Sequence, residues 1–288
     1  MKKLSEESLK ERLKNLAKEK SVSVNELLKK LYLERFLARL AKSTFSDKLI
    51  FKGGNLLNYY LSIGRQTSDL DFLMTQVHAE ERTIKTAFET IAQLPNDDGF
   101  ELSFVRIEPL VQPHMNYPGF RTILKIKFIE GSLRDNLQID VGVGDLVEPK
   151  EKRIELLTYK KAPFFEGSVS LLVYTPEAIF AEKLQTVVLK GSSNSRMKDF
   201  HDLVLLAREP AMLSKDLLAE VIPKTFAHRK TQLSFPIDFP ESDYPGLNRF
   251  WNSHSKTVGK WWAQNHMPLT FEEAVSEVNQ FLKLIPFK

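Results

Sequence analysis

The stretch from Leu49 to Met74 constrains the fold more than any other part of the chain. Leu49-Ile50-Phe51 reads as a short strand running into Lys52-Gly53-Gly54, and a helical stretch, Leu56 to Leu61, follows directly. Ser68 to Met74 reads as a second strand, in which Asp69 and Asp71 alternate with Leu70, Phe72 and Met74. Strand, glycine turn, helix and strand within about 25 residues define a compact α/β unit.

Residues two apart on a strand point to the same face, so both carboxylates project together while Leu70 and Phe72 enter a core. Two adjacent carboxylates repel unless a cation lies between them. A hard cation such as Mg²⁺ takes oxygen ligands of this kind, commonly shared with substrate phosphates. Gly53 and Gly54 let the backbone approach a ligand closely, and a helix starting after them aims free N–H groups at an anion. A phosphate cradle beside a metal-binding carboxylate pair is what phosphoryl or nucleotidyl transfer requires. Alone, Asp-x-Asp is usually a solvated strand edge or surface turn, and Gly-Gly is weaker still. Together on this unit, with Arg65 just ahead, they point to chemistry.

A third carboxylate stands at Asp140, between apolar residues of the strand-like Leu137–Val143. An adjacent strand could bring it beside Asp69 and Asp71 as a further metal ligand; alternatively it faces solvent or caps a neighbour. Asp145 is a weaker competitor, since Gly142 and Gly144 place it in a loop.

The chain contains no cysteine, which excludes disulfides, iron–sulfur clusters and cysteine-based zinc sites. No apolar run approaches the ~20 residues of a membrane span, and the charged MKKLSEESLKERLK lacks the apolar stretch of a signal peptide. A cytoplasmic protein without membrane contact is expected. Of the net +4, residues 1–48 carry 13 Lys+Arg against 7 Asp+Glu, so the basic excess sits in the N-terminal helices. Such a skew suits a nucleic-acid backbone or simply a solvated helix face.

Leu9, Leu13, Leu16 and Ala17 share one face of a first helix. Ser23-Val24-Asn25-Glu26 reads as a capping box before a second, with Leu27 to Leu40 as its apolar stripe. A helix from His78 to Ile91 precedes strands at Phe100–Ile107, Thr122–Ile129, Leu137–Val143, Ile154–Leu157 and Leu171–Tyr174. Thr175-Pro176-Glu177 starts a helix that runs to Lys190. Further helices are expected from Met197 to Arg208 and over 214–222 and 270–284, with Ser234 to Pro245 extended.

Several of these segments match a known family. Lys52-Gly53-Gly54-Asn55-Leu56, Arg65 to Phe72, Leu33 to Leu40, Glu182-Lys183-Leu184 and Arg196 to Leu203 resemble the AbiEii toxin-type nucleotidyltransferases, within the DNA polymerase β-like superfamily. The resemblance implies an α+β fold: N-terminal helices over 1–47, a nucleotidyltransferase core over 48–174 and a mainly helical part over 175–288. It implies an NTP-dependent enzyme using Mg²⁺, with Mn²⁺ as an alternative, that transfers a nucleotide to RNA, above all a tRNA 3′ end, and blocks translation. It also implies a cognate antitoxin and a place in phage exclusion. By the same resemblance Asp69 and Asp71 bind metal, joined by Asp140 on the wider superfamily pattern. Lys183 contacts phosphate, and Asp199, or Asp202 three residues on, completes the site. Lys52, Gly53, Gly54, Asn55, Arg65, Arg196 and Lys198 fall at the nucleotide. Family members usually carry Ser or Thr where this chain has Asn55, whose amide has different reach and geometry from a hydroxyl.

The residues themselves leave more room. Lys183, inside an apolar helical pattern, either extends to solvent or faces an anion. Asp199 and Asp202 share a helix face and could serve the helix N-terminus instead of catalysis. His201 is expected to pack or cap, and Trp251, Trp261 and Trp262 to fill core. Two other readings stay open: transfer to a protein or small molecule, or a non-catalytic nucleotide-binding or interaction protein.

Overall fold

Both opening helices start at a serine whose hydroxyl accepts from a backbone N–H that the helix leaves unsatisfied. Ser5 accepts from Ser8 ahead of α1 (Glu6–Lys20), and Ser23 from Glu26 ahead of α2 (Val24–Leu40). The structure is a computed structural model describing residues 4–75, 80–110 and 119–287; the start of the helix expected from His78 lies outside these. Leu9, Leu13, Leu16 and Ala17 are the buried face of α1, as their spacing requires. The second helix is enclosed more fully than an amphipathic stripe would be. Arg39 donates to both Asp98 oxygens at 2.8 and 3.1 Å and to the Phe100 carbonyl at 2.7 Å, and Arg35 pairs with Glu166. Two cations of the N-terminal basic excess therefore serve the core; Glu6 and Glu34 of the same segment are buried too, so the net skew at the surface is unchanged.

The chain then forms β1 (Leu49–Lys52), α3 (Gly53–Leu57), β2 (Leu70–Met74) and α4 (Glu81–Gln93). The long strands β3 (Phe100–Leu110), β4 (Gly119–Phe128) and β5 (Arg134–Val143) follow. After them come β6 (Lys150–Glu155), a small hairpin of β7 (Thr158–Tyr159) with β8 (Ala162–Pro163), and β9 (Ser168–Val173). One mixed sheet of seven strands has the order β3-β4-β5-β2-β1-β9-β6. In it β2 runs parallel to β5 and antiparallel to β1. Phe36 of α2 stacks on Phe88 of α4 at 5.7 Å and meets Phe72 of β2 edge-on at 5.9 Å, which seats the helices on the apolar side of the sheet.

Helices dominate the remainder: α5 (Pro176–Lys190), α6 (Met197–Arg208), α7 (Lys215–His228), α8 (Tyr244–Val258), α9 (Lys260–Gln264) and α10 (Phe271–Leu282). Thr175 caps α5 through the Ala178 N–H, and Thr270 with Glu273 forms a full capping box on α10. The segment expected to be extended to Pro245 is irregular only as far as Pro240; α8 begins at Tyr244 with Pro245 in its first turn, where a missing N–H costs nothing. Trp251 and Trp262 pack edge-to-face at 4.9 Å, and both indole N–H groups donate to the Pro268 carbonyl.

The chain divides into two compact units. The first comprises Met1–Tyr59, Gln66–Asp145 and Pro149–Val173, and holds the sheet. The second comprises Tyr60–Arg65, Leu146–Glu148 and Tyr174–Lys288, and is helical. Among the described residues no helix is long and apolar enough to cross a membrane.

Candidate functional site

Register across the sheet of the first unit lines up one row of charges. Glu108 pairs with Arg121, Arg121 with Asp140, Asp140 with Asp71, and Asp71 with Lys52. Cross-strand partners share a face, so the row is continuous over five strands. Its sign alternates at every step except one. Asp140 and Asp71 are like charges side by side, an arrangement that destabilises a sheet unless a cation offsets it.

The flanks of that pair are fixed by their own partners. Arg121 grips Asp140 in a two-pronged contact, Nε to Oδ1 and Nη2 to Oδ2, both 2.8 Å. That bond holds the guanidinium above its ordinary pKa. Gln138, with its amide oxygen turned toward Arg121, accepts at 3.0 and 3.2 Å. On the other side Lys52 reaches Asp145 at 3.4 Å, which ties that loop aspartate to the end of β1.

Gly53 explains the glycine turn. Its φ is +78°, and a Cβ there would lie 2.1 Å from Asp71 Oδ2. The Asp71 carboxylate therefore rests on backbone that only glycine leaves open. Asn55 takes a role the motif did not suggest. Its Nδ2 donates to the Thr67 carbonyl at 3.2 Å and the Asp69 carbonyl at 2.6 Å, fastening the loop that delivers Asp69 to the start of β2. A serine hydroxyl has one proton and could hold only one of these carbonyls at a time. Ser68 Oγ donates to Asp69 Oδ1 at 3.1 Å.

Asp69 and Asp71, both partly exposed, suit a divalent cation that takes two carboxylates and completes its shell with water and phosphate oxygens. Among the described residues no three carboxylates or imidazoles already converge as a cage. Asp140 lies beside Asp71 but has both oxygens on Arg121.

In the second unit the later motif closes on itself. Asp202, 0% exposed, accepts from Arg65 Nε at 2.9 Å and Nη2 at 2.6 Å, and its Oδ2 lies 2.6 Å from Lys183 Nζ. Lys183 also donates to Asp199 at 3.0 Å, and Asp199 accepts from Arg196 at 3.0 Å. Burial opposes the Lys183 charge, but Asp202 and then Asp199 outweigh it and hold the ammonium protonated. Burial likewise raises the Asp202 carboxyl, and the Lys183 and Arg65 cations overcome it, leaving the group far below the usual carboxylate range. Arg65 reaches this cluster because Gly64, φ +62°, passes beneath Trp261: a Cβ there would lie 1.9 Å from the indole ring. Arg196 and Lys198 stand at the exposed margin.

Sequence reasoning missed Arg121 and Gly64. Arg121 is one of many charged residues on a long strand, and only the β4–β5 register reveals its partner. Gly64 sits in the interval before Arg65, and its necessity comes from Trp261, nearly two hundred residues on.

His201 packs, as its sequence context suggests. Its Nδ1 lies 2.9 Å from His254 Nε2, with Trp261 and Trp262 around it. Burial pushes His201 down to about 3 and His254 to about 4. Both are neutral when folded, while the unfolded chain takes up protons near 6.5. Their contribution to stability is thus complete above pH 6.5, declines below it, and the decline ends as pH falls through 4 and 3. We expect an NMR titration to show both imidazoles neutral at pH 5, and denaturant unfolding to show stability declining from pH 6.5 to 4.5. His201→Phe should flatten that decline.

The model of the family described as "Nucleotidyl transferase AbiEii toxin, Type IV TA system" matches residues 35–257. Two solved chains from Helicobacter pylori are also similar. One is JHP933, 18% identical with TM-score 0.48, covering 91% of this chain and 92% of its own. The other, described provisionally as a nucleotidyltransferase, is 17% identical with TM-score 0.47, covering 92% and 96%. No curated protein matches the chain.

Proposed function

This chain belongs to the AbiEii nucleotidyl transferase toxin family of type IV toxin–antitoxin systems, and from that premise we propose that it transfers a nucleoside monophosphate from an NTP to RNA, with a tRNA 3′ end as the acceptor. The observation that carries the reading is the Asp71 carboxylate set against the Gly53 backbone, with Asp69 just ahead of it. Two such carboxylates beside closely approachable backbone suit a metal-chelated triphosphate. Asp69 and Asp71 would hold Mg²⁺ or Mn²⁺, with Asp140 adjacent. The cation, when bound, supplies charge neutralisation on the phosphates and the attacking and leaving oxygens.

The chain's own residues do the rest. Gly53 leaves room for Asp71 to stand against the turn, and Asn55 fixes the carbonyl of Asp69 and so the direction of its side chain. Lys183, held charged by Asp202 and Asp199, is assigned to phosphate, with Arg196 and Lys198 at the margin of the same cluster. In the reaction the acceptor hydroxyl oxygen forms a bond to the α-phosphorus and the bond to the bridging oxygen breaks. Pyrophosphate leaves with the electron pair, and the hydroxyl proton passes to solvent. Modification of the acceptor end would block translation, and a cognate antitoxin would be the restraining partner.

Incubation with each labelled NTP, Mg²⁺, total tRNA and a protein extract tests this. Label is expected in the RNA fraction. Label in a protein band would shift the acceptor class, and no label with any of the four NTPs would reject transfer to RNA.

A further inference from the structure

Beside Asp69, the first unit contains a cleft of about 250 Å³. We propose that it holds the terminal nucleoside of the acceptor strand. The inference rests on the nucleotidyltransferase reading and adds where the acceptor sits and what reads it.

Position is the first reason. In the sheet order β3-β4-β5-β2-β1-β9-β6, the glycine turn follows β1, on one side of β2. The cleft is walled by β5, β4 and β3, on the other side of β2, and is closed above by α2. Triphosphate against the Gly53 turn and a ligand in the cleft would therefore lie to opposite sides of β2 in the sheet order, with Asp71 against the turn and Asp69 lining the cleft. Transfer between two substrates needs that arrangement, because the attacking and leaving oxygens must lie on opposite sides of the reacting phosphorus.

Chemistry is the second reason. Leu33, Ile123 and Leu137 give the cleft apolar walls, suited to the faces of a base. Asn136 offers an amide donor and acceptor, and Gln138 an amide donor, suited to a base edge. Lys29 and Arg106, both exposed, stand at the rim where a backbone phosphate would leave. Asp69 and Asp135 also line the cleft, and their charge disfavours a triphosphate inside it. The volume lies just below the ~300–1,000 Å³ of pockets for drug-sized ligands, a size suited to one nucleoside. Group transfer then balances as written above: the terminal 3′-hydroxyl oxygen forms the new P–O bond and pyrophosphate departs.

Two variants test the cleft without touching the carboxylates. Lys29→Glu/Arg106→Glu reverses charge at the rim, and Asn136→Trp fills the cleft from an exposed strand position. Binding of a fluorescent single-stranded RNA of about ten nucleotides, without NTP, is read by anisotropy against salt; KM values for RNA and for NTP are read from transfer. The charge reversal should weaken RNA binding at least about tenfold and flatten the slope of log K against log salt by about 1.4. Asn136→Trp should raise KM for RNA with little change in that slope, and KM for NTP should stay within about twofold in both. Unchanged RNA binding in both variants would overturn the proposal, as would a rise in KM for NTP alone, which would place the NTP base in the cleft. If wild type transfers nothing, the nucleotidyltransferase reading fails, while the anisotropy arm still decides whether the cleft takes RNA.

Discussion

Replacing Asp202 by alanine should cost the second unit about 3–5 kcal/mol, more than any other single change among the candidate residues. The reason is the company the carboxylate keeps. Arg65 and Lys183 are themselves only 9% and 11% exposed, and both direct charge at Asp202. Without it, Arg65 loses its two-pronged contact and Lys183 keeps Asp199, so the free-energy cost is that of removing the central anion from two enclosed cations rather than the worth of one ion pair. For a unit of this size the melting temperature should fall by about 10 °C or more. Asp199→Ala should cost far less, about 1–2 kcal/mol, because Asp202 remains on Lys183 and Arg196 is 45% exposed and can turn to water. The Asp202 contribution is present above pH 3.8 and lost only below it, since the folded carboxyl lies under the unfolded value. Thermal melts of the two variants at pH 7 check the contrast. Equal losses would mean that Asp202 is no more central than its neighbour.

Gly53→Ala should reduce transfer by about a hundredfold or more while leaving the chain folded. The added methyl would lie 2.1 Å from Asp71 Oδ2 and 2.7 Å from both Asp71 Cβ and Cγ. Either Asp71 turns away or β1 and β2 part, and a displacement of ~1 Å at a reacting centre is enough for a loss of that size. The backbone adds its own resistance, since φ +78° costs an alanine about 1–2 kcal/mol. Gly167→Ala is the matched control: nothing lies within 4 Å of the added carbon, and neither activity nor stability should change. Steady-state kinetics and melts on both variants measure the effect. Near-normal transfer by Gly53→Ala would show that Asp71 need not stand where the structure puts it.

The two variants also mark how far the sequence could be read. Asp71 on a strand after a glycine turn was legible because period-two alternation and glycine's backbone freedom are local properties; the strand expected from Ser68 begins only at Leu70, so Asp69 stands on the loop just ahead of it. Also legible were Leu9, Leu13, Leu16 and Ala17 of α1 and the Thr175 cap of α5, each fixed by neighbours within a few residues. What the sequence could not disclose depends on register or on distant packing. Asp140 stood out as a third carboxylate, yet its grip on Arg121 follows from which residues face each other on β4 and β5. Arg65 was placed at the nucleotide by its motif, and its two-pronged contact with Asp202, far along the chain, was not legible. Asn55 stood out as a departure from the family motif, and its hold on the Thr67 and Asp69 carbonyls was not legible. Helix α8 was missed because Pro240 and Pro245 read as breakers, although a proline in the first turn is compatible with a helix.

The central claim is that Asp69 and Asp71, set against the Gly53 turn, form a nucleotidyl-transfer centre. Its most direct test is Mg²⁺-dependent transfer from labelled NTP to tRNA by wild type and by Asp71→Asn, with melting curves on both. Wild type should label RNA, and Asp71→Asn should melt within a few degrees of it yet transfer at least about a thousandfold more slowly, a loss of roughly 4 kcal/mol of transition-state stabilisation. Transfer by a folded Asp71→Asn at the wild-type rate would contradict the assignment.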